Sequence, residues 1–153
     1  MSVSVILVTY GRAELLPATI ESILDQTLDD FEFLISDDCS PDETEAVCRT
    51  FANRDDRVRY RRNEMRLGMP GNLNVALKEV RGDLIANLHD GDLYDHRMLE
   101  RWRQALLACP NAAFVFNAYR HLAADGSVRE ITRERLPNCF PGRVLLEDIY
   151  FRR

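Results

Sequence analysis

Hydrophobic residues in this chain follow two alternating patterns. Short runs rich in β-branched residues are typical of buried strands, and apolar residues spaced three or four apart are typical of helices packed on one side. The predicted strands are Val3–Thr9, Phe31–Ser36, Val58–Arg61, Asp83–Leu88 and Ala112–Phe116. Helices are predicted after the first four strands, beginning near Glu14, at Pro41, after Pro70 and after Asp95.

Local signals predict several element ends. Ser40-Pro41-Asp42-Glu43 offers a serine N-cap, a proline at the first helical position and the closing glutamate of a capping box. Gly82 is expected to stop the third helix. The segment Ala124–Ser127 is predicted to form a hairpin tip, and Val144–Tyr150 a short helix.

The repeated strand–helix alternation predicts an α/β fold. Right-handed crossovers would give a Rossmann-like, mainly parallel sheet sandwiched by helices. No repeat or linker is evident, so residues 1–153 are interpreted as one domain. Ligands on such sheets bind at the carboxyl ends of the strands. The candidate segments are therefore Thr9–Arg12, Ser36–Ser40, Asn63–Asn74 and His89–Asp92.

Composition narrows the class of protein. The net charge of −5 disfavours nucleic acid as a partner, because phosphate contacts need clustered cations. No apolar run approaches the ~18 residues of a membrane helix, and no basic segment precedes the first strand as in a signal peptide. The 4 cysteines form no C-x-x-C pair and are expected to be reduced thiols. These features predict a cytoplasmic protein.

Two carboxylates follow the fourth strand, in His89-Asp90-Gly91-Asp92. Asp90 and Asp92 could hold one Mg²⁺ or Mn²⁺, with phosphate oxygens completing the shell. The alternative interpretation is a solvated Asp-Gly turn. His89 and His96 flank the pair and are expected to be loop residues more than ligands.

Three other strand ends carry candidate binding residues. Asp37 and Asp38 could accept hydrogen bonds from a base or ribose, or could simply favour the next helix N-terminus. Tyr10 could stack on a nucleobase or pack on a helix, and Arg12 could meet a phosphate or lie in water. The loop through Gly68 runs into a helix N-terminus, which can bind an anion. It is not a P-loop, and no G-x-G-x-x-G follows the first strand.

Together these residues resemble glycosyltransferase family 2. The similarity begins with Val3–Tyr10 and Arg12, continues through Ile23-Leu24-Asp25-Gln26-Thr27, and includes Phe31–Asp42. It goes on in the same order through Arg62-Asn63, Gly68, Asn74, Arg81-Gly82-Asp83 and Asp90-Gly91-Asp92. The combined pattern covers nearly all of the chain and is specific, although no single piece is.

The resemblance implies an A-type glycosyltransferase fold that binds a nucleotide-diphosphate sugar. It implies donor-binding roles for a set of strand-end and loop residues: Thr9, Tyr10, Arg12, Asp37, Asp38, Gly68, Asn74 and Asp90. It also implies that Asp90 and Asp92 hold Mn²⁺ or Mg²⁺ on the diphosphate. Inverting transfer to an acceptor hydroxyl would need a carboxylate base.

The resemblance further implies where such an enzyme acts. Surface polysaccharide or glycolipid synthesis is expected, on a saccharide or lipid-linked acceptor at the cytoplasmic side of a membrane. Peripheral membrane association and homo-oligomerisation both stay open.

Two departures from the family pattern bear on activity. Many relatives have three acids in the metal loop, where this chain has His89 and Gly91. Relatives also place the catalytic base in a Glu-Asp pair well downstream of the D-x-D motif. Glu147-Asp148 comes too early in this chain for that role. The catalytic base is therefore unassigned, and the chain is interpreted as the donor-binding part of a longer, truncated enzyme.

Two alternatives to a transferase are considered. The first is a non-catalytic module of the same fold, which binds a nucleotide sugar or a protein. The second is a Mg²⁺-dependent phosphohydrolase of the haloacid dehalogenase kind, which also uses D-x-D. That family has D-x-D after its first strand and a later lysine, whereas here no lysine follows Lys78.

Overall fold

The structure is a computed structural model that describes residues 1–123 and 125–132. Strands and helices alternate in the order β1 (Val3–Thr9), α1 (Leu16–Leu24), β2 (Phe31–Asp37), α2 (Thr44–Arg54), β3 (Val58–Arg62), α3 (Gly68–Ala76), β4 (Leu84–His89) and α4 (Met98–Ala108). A hairpin of β5 (Tyr119–Leu122) and β6 (Val128–Thr132) follows. Met1–Glu100 form one compact unit, and a second begins at Arg101.

The first unit is built on a parallel sheet with the strand order β3-β2-β1-β4. All its pairings are parallel, and Val8 of β1 lies between Ser36 of β2 and His89 of β4. All seven residues of β1 are buried, because the strand has neighbours on both edges and helices on its faces. This arrangement confirms the predicted α/β fold.

Helices cover the sheet through apolar side chains. Ala76 of α3 packs in a cluster with Ile6 and Val8 of β1 and with Leu34 of β2. Alternate residues of the same strands point to the opposite face, and Val5, Leu7, Phe33 and Ile35 there are also fully buried. Helix α2 packs on β2 and β3 and against α1. The carboxyl ends of β1, β2 and β4 are thereby held at one edge of the sheet.

A close approach fixes the start of β4 beside β1. A Cβ at Gly82 would lie 2.5 Å from Ser4 Oγ, so only glycine fits. Its N–H donates to that hydroxyl at 2.7 Å, and Ser4 in turn donates to Glu32. Burial raises the pKa of Glu32, but hydrogen bonds from Ser4 and from the Arg81 N–H outweigh it and lower the pKa below its ordinary value.

Three predicted elements differ from the structure. Ala112–Phe116 is not a strand; its Phe114 and Phe116 are exposed, and β5 begins only at Tyr119. Helix α2 begins at Thr44, not at Pro41, because the Ser40 hydroxyl bonds to the Asp37 carboxylate instead of capping the helix.

Helix α3 also differs from its predicted bounds. It begins at Gly68, which places Pro70 in the first turn, where its missing N–H has no intrahelical partner to lose. It ends at Ala76, before Gly82. The hairpin tip is confirmed as a turn at Asp125–Gly126, whereas Val144–Tyr150 lies outside the described residues.

In the described part of the chain, no helix is both long and apolar enough to cross a membrane. The interpretation of residues 1–153 as one domain stays a prediction.

Candidate functional site

A cleft of about 210 Å³ opens at the carboxyl edge of the sheet, within the first unit. It is lined by the ends of three strands and by the loop that enters α3. The lining residues are Val8, Thr9, Tyr10, Arg12, Asp38, Arg66, Gly68, Met69, His89 and Asp90. Candidates from all four predicted segments therefore meet in one place, because parallel strands end at the same edge.

Asp90 is held in the cleft by the end of β1. Its Oδ2 accepts a hydrogen bond from the Thr9 hydroxyl at 2.8 Å and from the Tyr10 N–H at 3.3 Å. Among the described residues, no hydrogen bond reaches its Oδ1. One carboxylate oxygen of Asp90 is thus fixed by protein, and the other is available to a ligand.

The turn that joins Asp90 to Asp92 is fixed by its own geometry and by α1. Gly91 has φ of 86°, which a residue with a side chain rarely adopts. Its N–H donates to the Thr19 hydroxyl at 3.1 Å, and that hydroxyl donates to the Asp92 carbonyl at 2.9 Å. Thr19 is fully buried, so its hydroxyl holds the exposed turn from the side of α1.

Tyr94 closes the same turn from its other end. Its hydroxyl accepts a hydrogen bond from the His89 backbone N–H at 2.9 Å and donates one to the His89 carbonyl at 3.1 Å. Burial raises the pKa of Tyr94 to about 12. The phenol therefore stays protonated and can bridge the turn throughout the neutral pH range.

Helix α1 carries a line of polar residues toward this segment. Ser22 Oγ accepts from the Tyr94 N–H at 3.2 Å. The Gln26 amide donates to the Asp95 carbonyl at 2.8 Å and accepts from the Leu99 N–H at 2.9 Å. Thr19 and Ser22 lie three residues apart on one face of α1, and Gln26 follows just beyond the end of the helix. That face positions the acidic turn.

Asp38 joins the end of β2 to the start of α3. Its Oδ1 accepts from Asn63 Nδ2 at 2.9 Å and from the Leu67 N–H at 2.7 Å, and its Oδ2 accepts from the Gly68 N–H at 2.8 Å. Only 3% of Asp38 is exposed. The carboxylate therefore fixes the loop over the cleft and stabilises the positive end of the helix dipole.

Asp37 lies beneath the cleft and does not line it. It is fully buried; its Oδ1 accepts from the Ser40 N–H at 2.9 Å and its Oδ2 from the Tyr60 hydroxyl at 2.7 Å. Burial, together with the bond to Asp37, raises the pKa of Tyr60 well above its ordinary value. Both carboxylate oxygens of Asp37 are thus bonded to neighbouring protein groups.

Asn74 is likewise not among the cleft residues. It is exposed on α3, whereas Asn72 on the same helix is buried. Asn72 Oδ1 accepts from the Ser36 hydroxyl at 2.6 Å, and its amide donates to the Ser36 carbonyl at 2.7 Å. Asn72 therefore attaches α3 to β2, and the donor-binding role of Asn74 stays a prediction.

Tyr10 presents an aromatic ring at the cleft. Of its surface, 37% is exposed, and the Arg66 guanidinium lies 4.0 Å from the ring centroid. The loop after Tyr10 is tied to the β2–α2 loop, because the Gly11 N–H donates to Ser40 Oγ at 2.9 Å and the Ala13 N–H to Asp42 at 3.1 Å. These bonds hold Tyr10 and Arg12 at the cleft.

The donor set for a metal is a pair of carboxylates. Among the described residues, no three or more His, Cys, Asp or Glu side chains come together as a metal site. One or two carboxylates with substrate phosphates are the usual environment of Mg²⁺. Asp90 lines the cleft, whereas Asp92 is exposed on the same turn and is not among the cleft-lining residues. Two carboxylates of this kind suit a cation that substrate phosphates also hold, and not a closed protein cage.

Sequence reasoning missed the residues that position the site. The apolar spacing of α1 predicts its buried side and gives no role to Thr19 or Ser22, which bond to the segment after β4. Their spacing on one face was a signal that could have found them. The Asp38–Asn63 contact joins residues 25 positions apart, and no local pattern predicts it.

Comparison with known proteins identifies the family. The model of "Glycosyl transferase family 2" matches residues 4–151, nearly the whole chain. The chain belongs to glycosyltransferase family 2. Its fold also agrees with solved members of the A-type glycosyltransferase class. This confirms the resemblance inferred from the motifs.

One curated relative is a GalNAc(5)-diNAcBac-PP-undecaprenol beta-1,3-glucosyltransferase of Campylobacter jejuni. It is 38% identical over 90 residues, which are 58% of this chain and 29% of the relative. The matched part of this family 2 chain therefore covers less than a third of that protein's length.

Two solved structures share the fold. S. aureus TarS 1–349 in complex with UDP-GlcNAc has a TM-score of 0.65 and 26% identity, over 71% of this chain and 32% of that one. Mannosyltransferase PcManGT of Pyrobaculum calidifontis, in complex with GDP-Man and Mn²⁺, has a TM-score of 0.65 and 25% identity, over 68% of this chain and 32% of that one.

Proposed function

We propose that this family 2 chain binds the donor in a glycosyltransferase that moves a sugar from a nucleotide-diphosphate sugar to an acceptor hydroxyl. The observation that carries the proposal is the cleft, which brings together Tyr10, Asp38 and Asp90 at the carboxyl edge of a parallel sheet. Both solved neighbours are complexes with nucleotide sugars. The relative in Campylobacter jejuni is a named glucosyltransferase.

The cleft residues divide between the two ends of such a donor. Tyr10 supplies a stacking surface for the base, with Thr9 at the same strand end, and Asp38 accepts a hydrogen bond from the base or ribose. Asp37 supports Asp38 from below. Arg12 meets the diphosphate beside the positive end of the α3 dipole at Gly68, where the Gly68 N–H is itself already bonded to Asp38. Asn74, exposed on α3, would contribute only if the bound donor extends to that helix.

Asp90 and Asp92 would hold a divalent cation, Mn²⁺ or Mg²⁺. When bound, the cation would supply Lewis-acid stabilisation of the leaving nucleotide diphosphate. The contribution of this chain is to orient the Asp90 carboxylate through Thr9 and to fix the backbone that carries Asp92 through Thr19. The neighbour complex with GDP-Man and Mn²⁺ supports a divalent cation.

The transfer is proposed to invert the anomeric carbon by direct displacement. A carboxylate base would take the proton of the acceptor hydroxyl, and we assign that base to no residue of this chain. The acceptor is proposed to be a saccharide or lipid-linked sugar used in surface polysaccharide or glycolipid synthesis. The site of action would be the cytoplasmic face of a membrane, reached by peripheral association of a monomer or homo-oligomer.

The proposed function is tested by calorimetric titration of nucleoside diphosphates into the chain, with and without Mn²⁺. We expect binding of at least one nucleotide that is strengthened by Mn²⁺, and loss of that strengthening in Asp92→Asn. Asp56→Asn is the matched control, because Asp56 is an exposed aspartate just before β3, at the opposite edge of the sheet. No nucleotide binding by the folded chain would contradict the proposal.

A transfer assay distinguishes the enzyme from a non-catalytic binding module. The assay uses the full-length protein and a radiolabelled nucleotide sugar. Label in a saccharide or lipid product, lost in Asp92→Asn, supports transfer. Tight nucleotide binding without turnover on any acceptor or water would favour the binding module.

A further inference from the structure

Large apolar side chains are exposed all around the mouth of the cleft. They lie after β1, β3 and β4, and each is between 37% and 66% exposed. This set, here called the apolar rim, consists of Tyr10, Leu15, Met65, Leu67, Met69 and Leu93. In the segments at the opposite edge of the sheet, among the described residues of the first unit, Met1 and Leu77 alone are of this kind. The two edges of the sheet therefore differ in character.

Members of the apolar rim lie on both sides of the cleft. Tyr10 and Met69 line the cleft itself. Leu15 lies beside the acidic turn, because a Cβ built on Gly91 would be 3.4 Å from Leu15 Cδ1. Leu93 follows directly after that turn. A flat surface that covered the mouth of the cleft would therefore meet apolar side chains on either side of it.

The loop that carries Met65 and Leu67 is fixed from beneath. The Glu64 carbonyl accepts from the Cys39 thiol at 3.7 Å, and the Leu67 N–H donates to Asp38 at 2.7 Å. The side chains of Met65 and Leu67 are nevertheless exposed. Removal of such side chains from water is favourable, and exposed apolar patches mark surfaces that bind proteins or membranes.

The position of the apolar rim favours a bilayer over a protein as its partner. A protein seated on the rim would cover the mouth through which an acceptor has to reach the donor. A bilayer that holds the lipid-linked acceptor proposed above would instead bring that acceptor to the mouth. Tyrosine and long apolar side chains are also typical of segments that lie at the membrane–water interface.

Charge does not supply the attraction to such a surface. The net charge of the chain is −5, and Arg12 and Arg66 in the rim loops are accompanied by Glu14 and Glu64. Attachment must therefore come from the insertion of apolar side chains. Salt screens the attraction between exposed charges but does not weaken apolar burial.

We propose that the apolar rim seats the cleft on the surface of a lipid bilayer, with its Met, Leu and Tyr side chains inserted among the lipid headgroups. The proposal rests on the proposed function, because the acceptor that it brings into reach is the lipid-linked one. Binding to lipid should need no nucleotide and should persist at high salt, since it depends on apolar burial.

The test is flotation of the chain with vesicles of phosphatidylcholine and phosphatidylglycerol, without nucleotide, at low and at high salt. We expect the chain to float with the vesicles in both conditions. Absence of flotation in a chain that still binds UDP and Mn²⁺ would overturn the proposal and leave the proposed function intact. Flotation that disappears at high salt would overturn it too, because the attachment would then be electrostatic. Failure to bind any nucleoside diphosphate is a separate readout, which contradicts the proposed function.

A pair of charge-matched variants tests whether the apolar rim makes the contact. Met65 is 66% exposed and is not among the cleft-lining residues. Met65→Glu is expected to lower vesicle affinity at least about tenfold and to leave UDP affinity unchanged. Leu77→Glu adds the same charge at an exposed apolar position of the opposite edge and should float like the unmodified chain. Equal losses in the two variants would overturn the proposal.

A second rim variant covers the case in which Met65→Glu does not fold. Leu15→Glu places an acidic residue at the start of α1, where the helix dipole favours it. It is also expected to lower vesicle affinity at least about tenfold. Self-association of a chain that does not float, lost in either rim variant, would assign the apolar rim to a second copy of the chain and overturn the proposal.

Discussion

Asp37 and Asp38 are neighbours in the sequence, but their environments differ. Asp37 is fully buried and bonded to Ser40 and Tyr60, whereas Asp38 lines the cleft and holds the start of α3. The alternation of a strand explains this, because successive side chains point to opposite sides. Asp37 therefore contributes to stability, and Asp38 is the residue of the pair that a ligand can contact.

Removal of the Tyr60 hydroxyl tests the structural role of Asp37. Tyr60→Phe leaves a buried carboxylate oxygen without its 2.7 Å partner. We expect a loss of about 1–3 kcal/mol in the free energy of unfolding, measured by urea denaturation. UDP affinity should stay within about twofold of the unmodified chain. A large loss of affinity in the folded variant would place Asp37 in ligand binding instead.

The aromatic ring of Tyr10 tests base stacking. Stacking of a base on an aromatic side chain contributes about 1–3 kcal/mol. Tyr10→Ala is therefore expected to weaken binding of the preferred nucleotide by roughly ten- to a hundredfold in calorimetry. Tyr10→Phe keeps the ring and is expected to bind almost normally. Equal losses in both variants would point to the phenol hydroxyl, and no loss in either would remove Tyr10 from the site.

At the scale of elements, the site depends on contacts between segments far apart in sequence. The acidic turn after β4 is held by the polar face of α1, some 70 residues earlier, through the bonds of Thr19 to Gly91 and Asp92. The β1–α1 loop is held in the same way by Ser40 and Asp42. Loop geometry at the cleft is thus set by neighbouring elements and not by the loops alone.

Thr19→Val tests the coupling of α1 to the acidic turn. Valine has nearly the same shape but cannot bond to the Gly91 N–H or the Asp92 carbonyl. We expect a stability loss of about 1–2 kcal/mol and a weaker enhancement of nucleotide binding by Mn²⁺. Thr19→Ser keeps the hydroxyl and should keep most of that enhancement. If Thr19→Val binds nucleotide and Mn²⁺ normally, the turn does not depend on α1.

At the scale of the whole molecule, the fold could be predicted and much of the site's support could not. The periodicity predicted β1, β2, β3 and β4 within about a residue, because each is a short apolar or alternating run. The Ala112–Phe116 strand was wrong because an apolar run alone does not show whether a partner strand exists. Asp90, Asp38 and Tyr10 could be placed at one edge by topology.

Sequence patterns do not predict the hydrogen-bond partners of the site residues. Ser40 could not be assigned correctly, since a serine before a proline fits a helix cap as well as it fits a bond to Asp37. The contact between Asp38 and α3 depends on how far the loop of residues 63–67 reaches. Such contacts are set by packing in three dimensions, which one sequence does not specify.

Acid should destabilise the folded chain through its hydrogen-bonded carboxylates. Asp42 accepts from the Thr44 hydroxyl and from two N–H groups, which lowers its pKa below the ordinary value. Its contribution is therefore present above about pH 4 and is lost as the pH falls through the folded-state pKa. Urea midpoints measured from pH 7 to pH 3 should fall at the acidic end, and less steeply in Asp42→Asn. An identical slope in the variant would contradict this role.

The central claim is that the cleft at the carboxyl ends of β1 and β4 binds a nucleotide diphosphate together with a divalent cation. The most direct measurement is paramagnetic broadening of amide NMR signals by Mn²⁺ in the presence of UDP, with Mg²⁺ and UDP as the diamagnetic reference. The account predicts that signals of residues 9–12 and 89–93 broaden first, while those of residues 55–58 at the opposite edge persist. Broadening centred on any other part of the chain would contradict the account.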